Sequence, residues 1–150
     1  MVELSSHSVQ ETARIAARVA AHLVSGDVVG LSGDLGTGKT RFVEGACRAL
    51  GYEGRVRSPS YTLLNVYRAT MPIRHFDLYR WQADGAAREL AEWEEMMEEP
   101  GVTFIEWAER VFGEHCLFFE RGGHIGNLFM QDIQATIDAR FRAQLQAEGS

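Results

Sequence analysis

The sequence is short of cysteine and of long apolar runs, and both shortages narrow the class of protein. Its 150 residues hold two cysteines, Cys47 and Cys116. Two cysteines are too few for a disulfide framework and fit a reducing cytosol, although the sequence does not exclude a single disulfide between them. No stretch approaches the roughly 18 apolar residues of a membrane span. The N-terminus lacks a basic start followed by an apolar run. We therefore expect no membrane segment, no signal peptide and a cytoplasmic protein.

An excess of positive charge is also lacking. The chain has 15 basic and 21 acidic residues, a formal net charge of −6. General nucleic-acid binding depends on clustered cations that neutralise phosphates, so a chain this acidic is a poor general binder. The 45% hydrophobic and 24% charged composition is that of a globular protein. The length predicts one domain over residues 1–150.

Lysine is the scarcest charged residue. Fourteen of the 15 basic residues are arginine, and Lys39 is the single lysine. Coding bias explains an arginine-rich composition in general. It does not explain why the one lysine stands where it does, and its position is therefore informative.

The hydrophobic pattern alternates between strand-like and helix-like segments. A capping box, Ser8 to Glu11, opens an amphipathic stripe. Strands alternating with helices predict an α/β fold with a mainly parallel central sheet and flanking helices. The predicted helices cover residues 9–24, 39–50, 84–99 and 129–147, and the predicted strands cover 27–32, 62–67, 73–78, 101–106 and 117–119.

A phosphate-binding loop of the Walker A type, G-x-x-x-x-G-K-[ST], lies between the first long strand and the second helix. Glycines let the backbone wrap around phosphates, and the following helix directs its positive end at them. A compact lysine reaches the β- and γ-phosphates, and a threonine hydroxyl serves Mg²⁺. The alternative is a glycine-rich surface turn. The loop comprises Gly33, Asp34, Leu35, Gly36, Thr37, Gly38, Lys39 and Thr40.

Two acids at strand ends are candidates for holding Mg²⁺ or orienting water. Asp77 ends one predicted strand, and Glu106 ends a more hydrophobic one. We rank Glu106 as the direct or near-direct metal partner and Asp77 as a group that orients water. Either could instead be a surface carboxylate, and the sequence does not fix their order.

Other polar and aromatic residues have two interpretations each. Ser58, Ser60 and Thr62 could sense a γ-phosphate, as hydroxyls do in nucleotide switches, or could form a turn around proline. His75 is interpreted as a half-buried strand residue. Trp107 is interpreted as a packing residue, with contact to a ligand or partner as the weaker alternative.

Two further features concern the base and the partner. A guanine-reading N/T-K-x-D element needs a second lysine, so ATP is favoured over GTP. The predicted helix over 84–99 carries seven acids and only Arg88 as a cation. That acidic run is either a solvated helix face or a docking surface for a basic partner.

With these motifs in place, the chain resembles the bacterial tRNA threonylcarbamoyladenosine biosynthesis ATPase family TsaE, also called YjeE. The resemblance extends from about Ser8 to Arg110. The segments F-D-L-Y-R and I-E-W at their spacing make it more specific than a phosphate loop alone. The motifs are Glu11-Thr12, the loop Gly33 to Thr40, Ser58-Pro59-Ser60-Tyr61-Thr62, His75-Phe76-Asp77-Leu78-Tyr79-Arg80 and Ile105-Glu106-Trp107-Ala108-Glu109-Arg110.

The resemblance implies a compact P-loop ATPase that needs ATP and Mg²⁺. It implies weak hydrolysis alone and dependence on the threonylcarbamoyl-transfer proteins of the TsaB and TsaD type, with tRNA contacted only through that complex. By position, it places Thr12 and Glu109 near the nucleotide, Thr40 and Glu106 at Mg²⁺, and Asp77 as a functional acid. Lys39, Asp77 and Glu106 are its implied catalytic residues.

Two departures from the family pattern stand in the sequence. Ser60 replaces a more usual threonine and keeps the hydroxyl. Residues 119–150 do not match the strand-rich ending that the family implies, and a helical tail is expected there. The runner-up readings are a small-molecule P-loop kinase and a nucleotide-binding interaction module without significant turnover.

Overall fold

A computed structural model describes residues 3–81, 87–112, 117–120 and 124–126. Within them, seven strands and four helices follow one another along the chain. They are β1 (Glu3–Ser5), α1 (Val9–Ala20), β2 (Val28–Gly33), α2 (Lys39–Ala49), β3 (Leu64–Arg68), β4 (Pro72–Asp77), α3 (Ala87–Glu98), β5 (Val102–Glu106), α4 (Glu109–Phe112), β6 (Leu117–Glu120) and β7 (His124–Gly126).

The strands form one sheet in the order β1-β7-β6-β2-β5-β4-β3. The four central strands, β6, β2, β5 and β4, are mutually parallel, while β3, β7 and β1 are antiparallel to their neighbours. The predicted α/β class with a mainly parallel centre is confirmed. Parallel strands end at the same sheet edge, so β2, β4 and β5 present their carboxyl ends together.

Helices cover both faces of the sheet. Phe104 of β5 packs in one core cluster with α1 and α2. Its neighbour Ile105 packs in a second cluster with Phe76 and with Trp93 of α3. Because successive strand side chains point to opposite faces, α1 and α2 lie on one face and α3 on the other.

Helix α1 begins with the predicted capping box. Ser8 Oγ accepts a hydrogen bond from the Glu11 N–H at 3.1 Å, and Glu11 Oε2 accepts from the His7 N–H at 2.5 Å. The helix ends at Ala20 rather than near residue 24. The reason is local: Asp27 Oδ2 accepts from the Val24 N–H at 2.7 Å and holds a turn there.

Three short elements were not predicted: β1, β7 and α4. β7 falls in the segment after residue 119, where the sequence predicts a tail rather than a strand. The predicted helix over 129–147 and the start of the helix predicted over 84–99 lie outside the described residues. Among the described helices, none combines the length and the apolar character that a membrane crossing requires.

Candidate functional site

The glycine-rich loop joins the end of β2 to the start of α2. Gly36 and Gly38 have φ angles of 77° and 106°, which side-chain-bearing residues rarely adopt. Thr37 tightens the turn, because its Oγ1 donates to the Asp34 carbonyl oxygen at 2.8 Å. Gly38 occupies the N-cap of the 11-residue α2 and supplies no side-chain cap. The first N–H groups of α2 therefore face the loop without a capping side chain, as in a phosphate-binding helix terminus.

Lys39 is buried, with 5% of its surface exposed. Its Nζ donates to the carbonyl oxygens of Gly33 at 2.5 Å and Asp34 at 2.8 Å. It also lies 4.3 Å from the centre of the Trp107 indole ring. Burial lowers the pKa of Lys39, and nearby carboxylates, with Glu106 the strongest, oppose that shift. The structure thus places the Lys39 ammonium group at the loop, among backbone carbonyl oxygens and nearby carboxylates.

Glu106 and Thr40 form the pair of oxygen groups beside this lysine. Thr40 Oγ1 donates to Glu106 Oε1 at 2.8 Å. β5 lies between β2 and β4, and Glu106 pairs with Leu31 on one side and Asp77 on the other. Glu106 is 2% exposed. A half-buried hydroxyl at the start of α2 and a buried carboxylate at the end of β5 offer the hard oxygen ligands that Mg²⁺ prefers.

Asp77 is the second buried acid at this edge, but its contacts differ. Its Oδ2 accepts from Ser58 Oγ at 2.5 Å, and its Oδ1 accepts from the Tyr79 N–H at 2.9 Å. Ser58 belongs to the segment between α2 and β3 that also contains Ser60. Asp77 thus links the sheet edge to that segment, whereas Glu106 links it to the loop helix. Which acid contacts a metal directly stays a prediction.

A cavity of about 420 Å³ opens over these groups. It collects residues from the loop, from the segment before β3 and from the ends of β4 and β5. Its lining comprises Leu35, Gly36, Thr37, Gly38, Lys39, Thr40, Arg41, Ser58, Ser60, Asp77, Tyr79, Arg80, Glu106 and Trp107.

Three residues proposed for the nucleotide do not line that cavity: Gly33, Thr12 and Glu109. Gly33 contributes its carbonyl oxygen to Lys39. Thr12 lies on α1, and its Oγ1 is 2.7 Å from Ser6 Oγ. Glu109 Oε2 is buried and has no hydrogen-bond partner in the described part of the chain. The carboxylate of Glu109 still acts on Lys39 by opposing the lowered pKa.

His75 is the site residue whose role the sequence interpretation missed. It is fully buried rather than half-buried, and its Nε2 lies 2.5 Å from Glu106 Oε2. The alternation of side chains along a strand could have predicted this position. His75 and Asp77 are two positions apart and therefore share one face of β4. Trp107 also contributes more than packing, because it lines the cavity and covers Lys39.

The arrangement fits a magnesium nucleotide better than a metal held by protein alone. In the described residues, no group of three or more histidine, cysteine, aspartate or glutamate side chains could enclose a metal ion. Mg²⁺ commonly takes one or two protein oxygens and completes its shell with phosphates and water. The Thr40–Glu106 pair beside the glycine-rich loop would supply such a partial shell.

A family model and curated relatives of this chain identify the same protein family. A family model described as "Threonylcarbamoyl adenosine biosynthesis protein TsaE" matches residues 6–134, which extends beyond the limit of Arg110 set by the sequence motifs. The tRNA threonylcarbamoyladenosine biosynthesis protein TsaE of Treponema pallidum is 39% identical over 109 residues, covering 73% of this chain and 80% of that protein. The protein of the same name from Bacillus subtilis is 37% identical over 103 residues, covering 68% and 63%.

The match thus spans slightly less than two thirds of the Bacillus relative's length. Among solved structures, the crystal structure of Bacillus subtilis YdiB superimposes with a TM-score of 0.75 at 25% identity and covers 95% of each chain.

Proposed function

The chain belongs to the TsaE family of threonylcarbamoyl adenosine biosynthesis proteins, and from that membership we propose that it is the ATP-hydrolysing subunit in the formation of threonylcarbamoyladenosine on tRNA. The observation that carries the ATPase part is the meeting of Lys39, Thr40 and Glu106 at one cavity. One cation, one hydroxyl and one carboxylate at a glycine-rich loop are the parts that phosphoryl transfer requires.

Each group has a role that follows from its position. The loop N–H groups and Lys39 bind the phosphates, and Lys39 exchanges its carbonyl partners for phosphate oxygens. Thr40 and Glu106 would hold Mg²⁺, which would neutralise charge on the phosphates. Asp77 orients a water molecule with the help of Ser58, whose hydroxyl is already bonded to that carboxylate.

The proposed partners are the threonylcarbamoyl-transfer proteins of the TsaB and TsaD type. A net charge of −6 disfavours direct grip on tRNA, so tRNA is reached through those proteins. The names of two relatives place the relatives themselves in tRNA threonylcarbamoyladenosine biosynthesis, which supports partners from that process. Hydrolysis by the chain alone is expected to be slow and to rise in the assembled complex.

The experiment is an ATP hydrolysis assay on the full chain alone, with tRNA, with the two transfer proteins, and with both. We expect hydrolysis to increase with the transfer proteins and to change little with tRNA alone. Lys39→Ala in the full complex should remove the increase. Equal rates in all four mixtures would contradict the accessory-ATPase proposal, and binding of ATP without any turnover would favour a nucleotide-binding interaction module.

A further inference from the structure

A buried chain of hydrogen bonds extends from the Thr40–Glu106 pair into β3 and beyond. Glu106 Oε1 accepts from Thr40, and Glu106 Oε2 lies 2.5 Å from His75 Nε2. On the other side of the ring, His75 Nδ1 lies 3.0 Å from the Tyr67 hydroxyl. The Tyr67 hydroxyl in turn lies 3.2 Å from the Arg57 carbonyl oxygen. The chain crosses β5, β4 and β3 in order.

The donors in this chain follow from simple chemistry. A carboxylate only accepts, so the Nε2 of His75 carries the hydrogen that bonds Glu106. The Tyr67 hydroxyl has one hydrogen, which it donates to the Arg57 carbonyl oxygen, while its oxygen lies within hydrogen-bond distance of His75 Nδ1. Burial raises the pKa of Tyr67, which keeps that hydroxyl protonated as a donor. The Arg57 carbonyl oxygen keeps a second donor, the amide of Asn65 at 3.2 Å.

Resting on the proposed function, we propose that His75 is a positioning residue that fixes the carboxylate of Glu106 for Mg²⁺ and is itself fixed by Tyr67. A carboxylate with one bonded oxygen can rotate about its Cγ–Cδ bond. With Oε2 bonded to His75, Oε1 is directed at Thr40 and at the loop. Hydrogen-bonded partners behind a metal-binding group orient that group, and their loss typically costs 10- to 100-fold in metal affinity.

The burial of these groups makes the arrangement specific. His75 is 0% exposed and Tyr67 5% exposed, so water does not replace a lost partner easily. A buried oxygen without a donor is costly, which holds Glu106 to His75 rather than to alternative rotamers. The far end of the chain contacts the backbone at Arg57, next to Ser58. The orientation of Glu106 is thereby tied to the segment whose hydroxyl bonds Asp77.

Two substitutions at position 75 separate positioning from bulk. The side-chain amide of glutamine reaches the place of Nε2, whereas that of asparagine reaches only the place of Nδ1. His75→Asn should therefore lose the bond to Glu106 and His75→Gln should keep it. Thr103→Val is the matched control. It removes a buried hydrogen bond between β4 and β5, from Arg74 Nε to Thr103 Oγ1 at 3.0 Å, on the opposite face of the same strands.

The measurement is the ADP dissociation constant by calorimetry, once with Mg²⁺ and once with EDTA. The readout is the dissociation constant in EDTA divided by the dissociation constant with Mg²⁺. This ratio reports how much Mg²⁺ strengthens ADP binding. We expect His75→Asn to reduce that ratio by about 10-fold or more with the EDTA constant unchanged. His75→Gln and Thr103→Val should retain the wild-type ratio. Thermal unfolding is followed in parallel, because a purely structural role would lower stability without changing the ratio.

The outcomes distinguish this inference from the proposed function. A wild-type ratio of one would refute the magnesium assignment of Thr40 and Glu106, and the role of His75 with it. A wild-type ratio well above one that His75→Asn retains would overturn the role of His75 alone. If His75→Asn does not fold, Tyr67→Phe decides. This variant leaves the imidazole of His75 in place but removes the hydroxyl that contacts its Nδ1. A reduced ratio therefore supports the inference, and an unchanged ratio overturns it.

Discussion

At the scale of single residues, the two carboxylate oxygens of Glu106 have different hydrogen-bond partners. One is bonded to Thr40 and the other to His75, so neither is left unpaired in a buried setting. Asp77, one strand away, bonds Ser58 and the backbone of Tyr79 instead. Two neighbouring acids with different partners are suited to different roles, one toward a cation and one toward water.

Substitution of Glu106 by glutamine tests that division. Glu106→Gln keeps the shape and removes the charge, so turnover in the complex should fall on the order of tenfold to a thousandfold. ADP binding in EDTA should change little, because the proposed role of the carboxylate is toward the cation. Asp77→Asn is the comparison variant and should lower turnover while retaining the Mg²⁺ contribution to binding. If only Asp77→Asn reduces that contribution, the two acids have been assigned in the wrong order.

Cys47 provides a second test at this scale, through its pKa. The thiol is fully buried, and burial raises its pKa to about 12. Because the thiolate is the reactive form, Cys47 should resist iodoacetamide at pH 8.5 in the folded protein and react in urea. Peptide-level mass spectrometry distinguishes it from Cys116. Rapid alkylation of Cys47 in the native protein would show that the α2 packing described above is wrong.

At the scale of elements, α1 and α2 pack closely against each other at Gly45. Gly45 lies inside α2, where alanine would ordinarily favour the helix by roughly 1 kcal/mol. Yet a Cβ atom at position 45 would lie 2.7 Å from Ala13 Cα and 3.1 Å from the Ala13 carbonyl oxygen, both backbone atoms of α1. The two helices must therefore separate to admit it, and the packing cost should exceed the gain in helix propensity.

Gly45→Ala is accordingly expected to destabilise the protein by roughly 1–3 kcal/mol. Urea unfolding followed by circular dichroism measures the change. Since α2 also begins at the phosphate loop, nucleotide affinity should fall with stability. An unchanged or raised unfolding free energy would mean that α1 and α2 pack less closely than described.

The elements also show what the sequence can and cannot predict. The strand before the loop, α2 and β5 were predicted to within a residue or two, since each has a strong local pattern and a local stop. β1 and β7 were missed because each has three residues and they pair with each other across most of the chain. No local pattern contains that information. For His75, a local signal existed, since it shares a strand face with Asp77, but its pairing with Glu106, 31 positions away, has no local pattern.

At the scale of the whole molecule, charge and lysine usage bear on the ligand. The phosphate loop has the single lysine, and a guanine-reading element of the common type requires another. We expect the full chain to bind ATP more tightly than GTP in the presence of Mg²⁺. Parallel calorimetric titrations measure the preference, with ADP and GDP as a matched pair. GTP binding that equals or exceeds ATP binding would contradict it.

The central claim, that Lys39 and its loop bind the phosphates of ATP, is tested most directly by calorimetric titration of the full chain with ATP and Mg²⁺. Lys39→Ala should weaken binding by roughly 10- to 150-fold, the loss of one charge-assisted hydrogen bond worth about 1.5–3 kcal/mol. Arg48→Ala, which removes an exposed cation at the other end of α2, is the matched control and should bind as the wild type does. Thermal unfolding verifies that both variants are folded. If folded Lys39→Ala bound ATP as tightly as the wild type, the assignment of this site would be contradicted.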